Sequence, residues 1–289
     1  MRDLNYQLKQ LCRNNRDGSY ATQAARAWQL SLMANQLHDL GFRHMNVRSL
    51  KEKHVRALVA LWKKQSIKVG TMKNRLSTLR WWARHVGKPG VIANDNNAYD
   101  IGNRSYVPEV SKAVHLNAEQ IAAIRDERAR LSVRLQVAFG LRREEAIKFK
   151  PSYAMKDDNC IRLKASWCKG GRARTIPITN DEQRALLREV ADFAGGGSLI
   201  PPAKMYVQQQ RRYDRRIREA GLSKLHGLRH AYAHRRFEEL TGFKAPVDGG
   251  PASRSLTSDQ RALNKGARET IAQELGHKRE QISAAYLGR

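Results

Sequence analysis

The N-terminal part of the chain repeats apolar residues at helical spacing. Leu30, Met33, Leu37 and Leu40 form one set, with Trp28 near the same face; Val55, Leu58, Val59 and Trp62 form a second; Val69, Met72, Leu76, Leu79 and Val86 form a third. Breaks are expected near Gly18, Gly41 and Ser66 to Gly70, where glycine interrupts the pattern. Residues 2–14 alternate charged and apolar positions as an amphipathic helix does. These features predict a small domain of four or five helices over residues 1–87. Trp28, Trp62, Trp81 and Trp82 are assigned to core or helix–helix packing, with one of the adjacent pair Trp81 and Trp82 toward the rim. Residues 88–115 lose the periodicity and gather Pro, Gly and Asn, which predicts an interdomain linker.

A new helix signal begins at Asn117, with Glu119 and Gln120 in its first turn. Residues 116–149 read as two helices, with GLRREE (140–145) entering another. CIRLKASW and RARTIPIT are strand-like and are joined across KGG (169–171), whose glycines allow the positive φ of a tight turn. Lys169 is then expected at the tip of a two-stranded ribbon. Residues 180–194 predict a mixed-charge packing helix closed by GGG, VQQQRRYDRRIREAG a basic helix, and HGLRHAYAHRRFEEL a further one. The predicted fold class is mainly α, with a small β-hairpin in a C-terminal domain of residues 116–289 and no internal repeat.

Charge narrows the possible partners. Lys and Arg number 54 against 27 Asp and Glu, a net +27 with pI near 10.6. Such an excess repels itself and favours a polyanion, nucleic acid first. No run is long enough to span a membrane, and no N-terminal signal with an apolar centre is present. Lys73, Arg80 and Arg84 share one face of the last helix of the first domain, the element expected to face DNA. From Lys204 to Arg236 ten Lys and Arg face only Asp214 and Glu219; Arg211, Arg212, Arg215 and Arg216 crowd one helix, and a bound polyphosphate accounts for that density. Cys12, Cys160 and Cys168 lack zinc-site spacing and are expected as free thiols in a reducing cytoplasm.

Particular residues then suggest a chemistry. Arg142 and Glu145 are three apart, so the carboxylate can orient the guanidinium at a buried helix start. Lys169 can present a mobile ammonium to a leaving oxygen. His226, His230 and His234 recur every four residues, but Gly227 stands where a zinc-protease helix has glutamate, so no metal is assigned. Tyr286 follows LGH (275–277) by nine residues. A tyrosine ringed by cations is suited to attack a phosphodiester, because the cations stabilise charge on the non-bridging oxygens.

Arg142 in GLRxxE, Lys169 in KGG, HGLRH at 226–230, LGH at 275–277 and Tyr286 stand in an order that resembles the tyrosine recombinases, the phage-type integrases. The resemblance implies a two-domain DNA clamp, the helical front end being the core-binding domain. It also implies roles. Tyr286 would form a 3′-phosphotyrosyl link, Arg142 and Arg229 would clamp the non-bridging oxygens, and His277 would hydrogen-bond the phosphate. Lys169 would protonate the 5′-oxygen, His226 would assist proton removal from Tyr286, and Glu145 would hold Arg142. No cofactor is implied, because the protein link conserves the free energy of the broken bond. The implied partners are a duplex recombination site, a dimer on one site and a tetramer in synapsis, with accessory DNA-bending proteins, in the cytoplasm of a prokaryote or phage host. Integration or excision of a mobile element is the implied task. A DNA-binding protein that keeps the fold without catalysis, and a type IB topoisomerase-like relaxing enzyme, are the alternatives. Two departures from the family pattern stand out. Residues 241–267 lengthen the interval between HGLRH and LGH, read as a loop plus a short helix, and only Leu287, Gly288 and Arg289 follow Tyr286.

Overall fold

The computed structural model describes residues 2–289. By contacts the chain divides into two compact units, the first ending at Ser105 and the second running from Tyr106 to Arg289. The division falls inside the stretch read as a linker. Ile92, Tyr99 and Ile101, from the earlier part of that stretch, are buried in the first unit's core.

The first unit is built from α1 (Asp3–Asn14), α2 (Tyr20–Asp39), α3 (Glu52–Lys64) and α4 (Val69–His85). Their inner faces are the predicted ones: Leu30, Met33 and Leu37 meet Leu58, Trp62, Leu76 and Leu79 in one core. Trp28 is not part of it. It is 63% exposed, because it lies about 200° around α2 from Leu30 and points away from the buried stripe. Nor does either member of the Trp81–Trp82 pair reach the rim; both are buried. Trp82 donates its indole N–H to the Val47 carbonyl at 2.8 Å. Trp81 donates to Asp17 at 2.9 Å, with the Arg26 guanidinium 4.2 Å from its ring.

The second unit contains α5 (Ala118–Ala122), α6 (Glu127–Phe139), α7 (Arg143–Ile147), α8 (Pro151–Ala154), β1 (Cys160–Leu163) and β2 (Arg174–Pro177). It continues with α9 (Asp181–Ala194), α10 (Tyr206–Glu219), α11 (Gly227–Thr241), α12 (Ser258–Glu274) and α13 (Ala284–Leu287). Asn117 caps α5 and exchanges hydrogen bonds with Gln120, as its sequence signal predicts. The strands pair antiparallel with Ile161 opposite Ile176 and Leu163 opposite Arg174. The fold is therefore mostly helical with one small two-stranded sheet. Phe139, Phe149, Ile161, Ile176, Phe237 and Leu275 form its principal core.

Three local expectations are corrected. The strands are shorter than read, and a 3-10 turn at Ala165–Trp167 lies between them. Trp167 is drawn into the core beside Tyr153, with ring centroids 5.4 Å apart, so the chain leaves the sheet before KGG. Gly170 and Gly171 do take positive φ, +79° and +66°. The helix after residue 241 is long rather than short; its capping box at Thr257 and Gln260 starts α12, which runs into LGH. The basic helix α10 is partly neutralised within the protein: Arg212 pairs with Asp126 at 2.6 Å, Arg216 with Glu219 at 2.7 Å, and Asp214 with Arg143 at 2.8 Å.

Trp28→Ser should change stability by less than about 0.5 kcal/mol, whereas Trp62→Ala should cost roughly 3–5 kcal/mol. Urea unfolding of both variants checks the two faces of the first unit. Equal losses would mean that Trp28 is packed after all.

Candidate active site

Gly140 closes α6 in the left-handed region at φ +59°, and a Cβ there would lie 2.6 Å from the Tyr232 ring. The turn delivers Arg142 to the N-cap of α7. Its backbone N–H donates to the Glu145 carboxylate at 2.8 Å, and its guanidinium donates at 2.9 Å. A second cation meets the same carboxylate: Arg174 of β2 donates from both Nη atoms at 2.9 and 2.7 Å. Glu145 is fully buried, and so acts as a shared anchor.

Each residue of LGH contributes something different. The Leu275 carbonyl accepts from Arg142 Nη2 at 3.2 Å and also from Arg229 Nη2, which fastens two guanidinium groups to one oxygen. Gly276, at φ +69°, leaves room for Arg174; a Cβ would stand 3.1 Å from its Cδ. His277 carries its ring to Tyr286. Just before them, the Glu274 carbonyl accepts from Arg174 Nε at 2.7 Å.

Arg229, in the first turn of α11, is 1% exposed. It donates from Nη1 to the Gly140 carbonyl at 2.5 Å and from Nε to the Tyr286 hydroxyl at 3.4 Å. His277 Nε2 lies 3.3 Å from the same hydroxyl. A hydroxyl that accepts from Arg229 can give its own hydrogen to an unprotonated imidazole nitrogen. The His230 ring packs on the phenol, centroids 4.6 Å apart, while His226 stands at the rim, 6.5 Å from it. Arg142, Glu145, Arg229, His277 and Tyr286 thus meet in one chain. Lys169 lies on an exposed turn after Cys168. Among the described residues no group of three or more His, Cys, Asp or Glu converges as a metal site, and no helix is long and apolar enough to cross a membrane.

Comparison with known proteins bears on this pocket. Residues 1–92 match the family model described as phage integrase, N-terminal, and residues 102–235 match the one described as integrase. The chain belongs to the phage integrase family, the tyrosine recombinases. It is an enzyme, a tyrosine-type site-specific recombinase. Comparison with curated proteins gives no match. Among solved structures, a lambda integrase dimer bound to a COC′ core site is similar, with TM-score 0.60 and 18% identity over 99% of this chain and 78% of that one. The XerH site-specific recombinase on a palindromic difH substrate gives TM-score 0.57 and 18% identity, over 99% and 81%. The Tn1549 transposon integrase with circular intermediate DNA gives TM-score 0.57 and 12% identity, over 100% and 96%. At these identities the likeness is one of fold, and it extends past residue 235, where the second family match stops.

Electrostatics in the recombinase pocket follow first from burial and then from crowding of like charge. Burial, then the charges of Arg229, Arg142 and Arg174, push His277 down to about 4. Burial, then neighbouring His226, His234, Lys112 and Arg229, brings His230 to about 4 as well. His226 is lowered by loss of water on its inner side, then by Arg229, Arg142 and Lys169. Burial would raise Glu145, but the Arg174 hydrogen bonds and charge win and hold it at about 2. Burial also lowers Arg229, to about 10, so it stays charged at neutral pH.

Arg174 escaped the sequence reading. The only sequence signal for it is its position two residues before Ile176 in RARTIPIT, which strand alternation places on the same face as that isoleucine. Of the basic residues expected to face DNA, Arg80 is tied to the Ala93 carbonyl and the Asn96 side chain, at 2.7 and 2.9 Å from Nη2. Arg212 is held by Asp126 and Arg216 by Glu219. Lys73 reaches Asn103 at 3.4 Å. Arg84, Arg211 and Arg215 remain exposed.

Two measurements follow. Arg174→Met leaves the buried Glu145 carboxylate with one cation fewer and should cost about 3–5 kcal/mol, with little recovery in Arg174→Lys, which lacks the two-pronged donor set. The second is a pH scan of the melting temperature. Unfolded imidazoles bind protons below their ordinary 6.5, while folded His230 and His277 resist them until about 4. Stability from this source is complete above pH 6.5 and is lost as pH falls toward 4. The slope should be shallower in His230→Phe; a pH-independent melting temperature across that window would contradict the assignment.

Proposed function

We propose that this recombinase cleaves and rejoins duplex DNA through a 3′-phosphotyrosyl intermediate on Tyr286, in the integration or excision of a mobile element. The observation that carries the reading is the position of the Tyr286 hydroxyl, between the Arg229 guanidinium at 3.4 Å and His277 Nε2 at 3.3 Å. The scissile phosphate would enter beside Arg142, oriented by Glu145 and the Leu275 carbonyl, and Arg229, which backbone carbonyls hold so that its charge stays available to the non-bridging oxygens. Tyr286 Oη attacks phosphorus as the bond from phosphorus to the 5′-oxygen breaks. The phenolic proton passes to a neutral imidazole, His277 being nearest and His226 at the rim, and the Lys169 ammonium protonates the departing oxygen once DNA draws its turn inward. Religation reverses these transfers.

The binding partner is a duplex recombination site. The solved relatives include a lambda integrase dimer on a core site, which supports a dimer on one site here; two such dimers forming a synaptic tetramer, and accessory DNA-bending proteins, complete the proposal. The exposed Arg84, Arg211 and Arg215 suit backbone contact, which makes affinity strongly salt-dependent.

A nicked duplex library of randomised sequence offers the test, since it contains candidate sites of every kind. Wild-type protein should form a denaturant-stable adduct, Tyr286→Phe none, and Arg142→Ala should slow adduct formation by about 10²–10³-fold. An adduct of undiminished yield in Tyr286→Phe would remove Tyr286 as nucleophile. Relaxation of supercoiled plasmid without sequence preference would point to a topoisomerase instead.

A further inference from the structure

The α11–α12 connection, residues 242–257, packs against the segment that carries Tyr286, and side chains of the two helices it joins hold that segment by its backbone. His234, buried in α11, approaches the Tyr286 carbonyl with Nε2 at 2.8 Å. A carbonyl only accepts, so Nε2 carries the hydrogen. The other ring nitrogen, Nδ1, is buried without a hydrogen-bond partner and faces the Asp248 carboxylate at 3.5 Å. Arg268, buried in α12, donates from Nη2 to the Gly288 carbonyl at 3.0 Å, with its Nε on the Asn264 side chain. Gly288 has φ +73°, and a Cβ there would come within 2.9 Å of the Val247 nitrogen. The carbonyls of residues 286 and 288 are each held by a buried side chain from a different helix, and the loop joining those helices closes over them.

The phenol ring packs on His230, but its hydroxyl is only lightly held. Its two hydrogen bonds are long, and α13 is a four-residue helix, too short to be stable by itself. Its orientation therefore has to be imposed through the backbone. A buried guanidinium is unfavourable unless its hydrogen bonds are well placed, so Arg268 directed at a main-chain oxygen indicates a holding role. We propose that residues 245–250, with His234 and Arg268, form a latch that seats Tyr286 in its own chain's pocket, making His234, Asp248 and Arg268 positioning residues for cleavage in cis. The proposal rests on Tyr286 being the nucleophile.

Hydrogen exchange on the full chain without DNA reads the latch directly. Peptides covering residues 280–289 should be protected in the wild type. Arg268→Met and the gentler Asp248→Asn should each exchange about tenfold faster there, with peptides of α6 and α9 unchanged as proof of folding. On duplexes recovered by covalent capture with wild-type protein, Arg268→Met should cleave about 10²-fold more slowly at unchanged DNA affinity, with partial recovery in Arg268→Lys. A mixture of Tyr286→Phe and Arg142→Ala chains should yield no more adduct than Arg142→Ala alone. Adding Arg268→Met to the Arg142→Ala chain should raise the yield above that level, because the freed tyrosine can then enter a neighbour's pocket. Unchanged exchange in both latch variants, or adduct from the first mixture above the Arg142→Ala level, overturns the latch. Absence of any wild-type adduct strikes the nucleophile assignment instead, and the exchange result still judges the latch.

Discussion

Arg142, Arg174 and Arg229 occupy one small volume, and the rest of the site depends on how their mutual repulsion is offset. A single carboxylate, Glu145, takes two of them. The remaining compensation comes from backbone oxygens: Gly140 at the end of α6, and Glu274 and Leu275 at the end of α12. Carbonyls at a helix C-terminus have no partner within the helix and carry partial negative charge. They can therefore seat a cation without neutralising it. Two helices aim their C-termini at the cluster, and this allows guanidinium groups to be buried while their positive charge is kept.

The same field explains the histidines. Loss of water first, then three guanidinium groups at His277 and the neighbouring imidazoles, Lys112 and Arg229 at His230, make both resist protonation, so the imidazole beside Tyr286 is neutral and able to accept a proton. Burial and then the arginines set the state of the histidine, and the helix ends set the arginines. The site's chemistry thus follows from the placement of secondary structure as much as from its reactive side chains.

Much of this was legible in the chain. Helical spacing located the first-unit core because burial on one face of a helix imposes a period close to four residues. The boxes around Arg142, Arg229, His277 and Tyr286 carried the family, and Gly140 marked the turn before Arg142. Less visible was the fate of charge. Arg80, Arg212 and Arg216 were expected to face DNA, yet Arg80 is tied to main chain and Arg212 and Arg216 to carboxylates. Asp126 lies far from Arg212 in sequence, and no local pattern announces that pair.

Sequence alone determined the helical class, the excess of positive charge and the boxes that carry the family, because these depend on composition, short-range period and motif order. Tertiary structure decided that Arg174 completes the cluster, that Trp28 faces outward, that Trp167 interrupts the ribbon, and that His277 rather than His226 stands beside the hydroxyl. Each of these turns on a contact between residues distant in the chain or on which of two helix faces is buried, and folding settles both by packing and charge compensation.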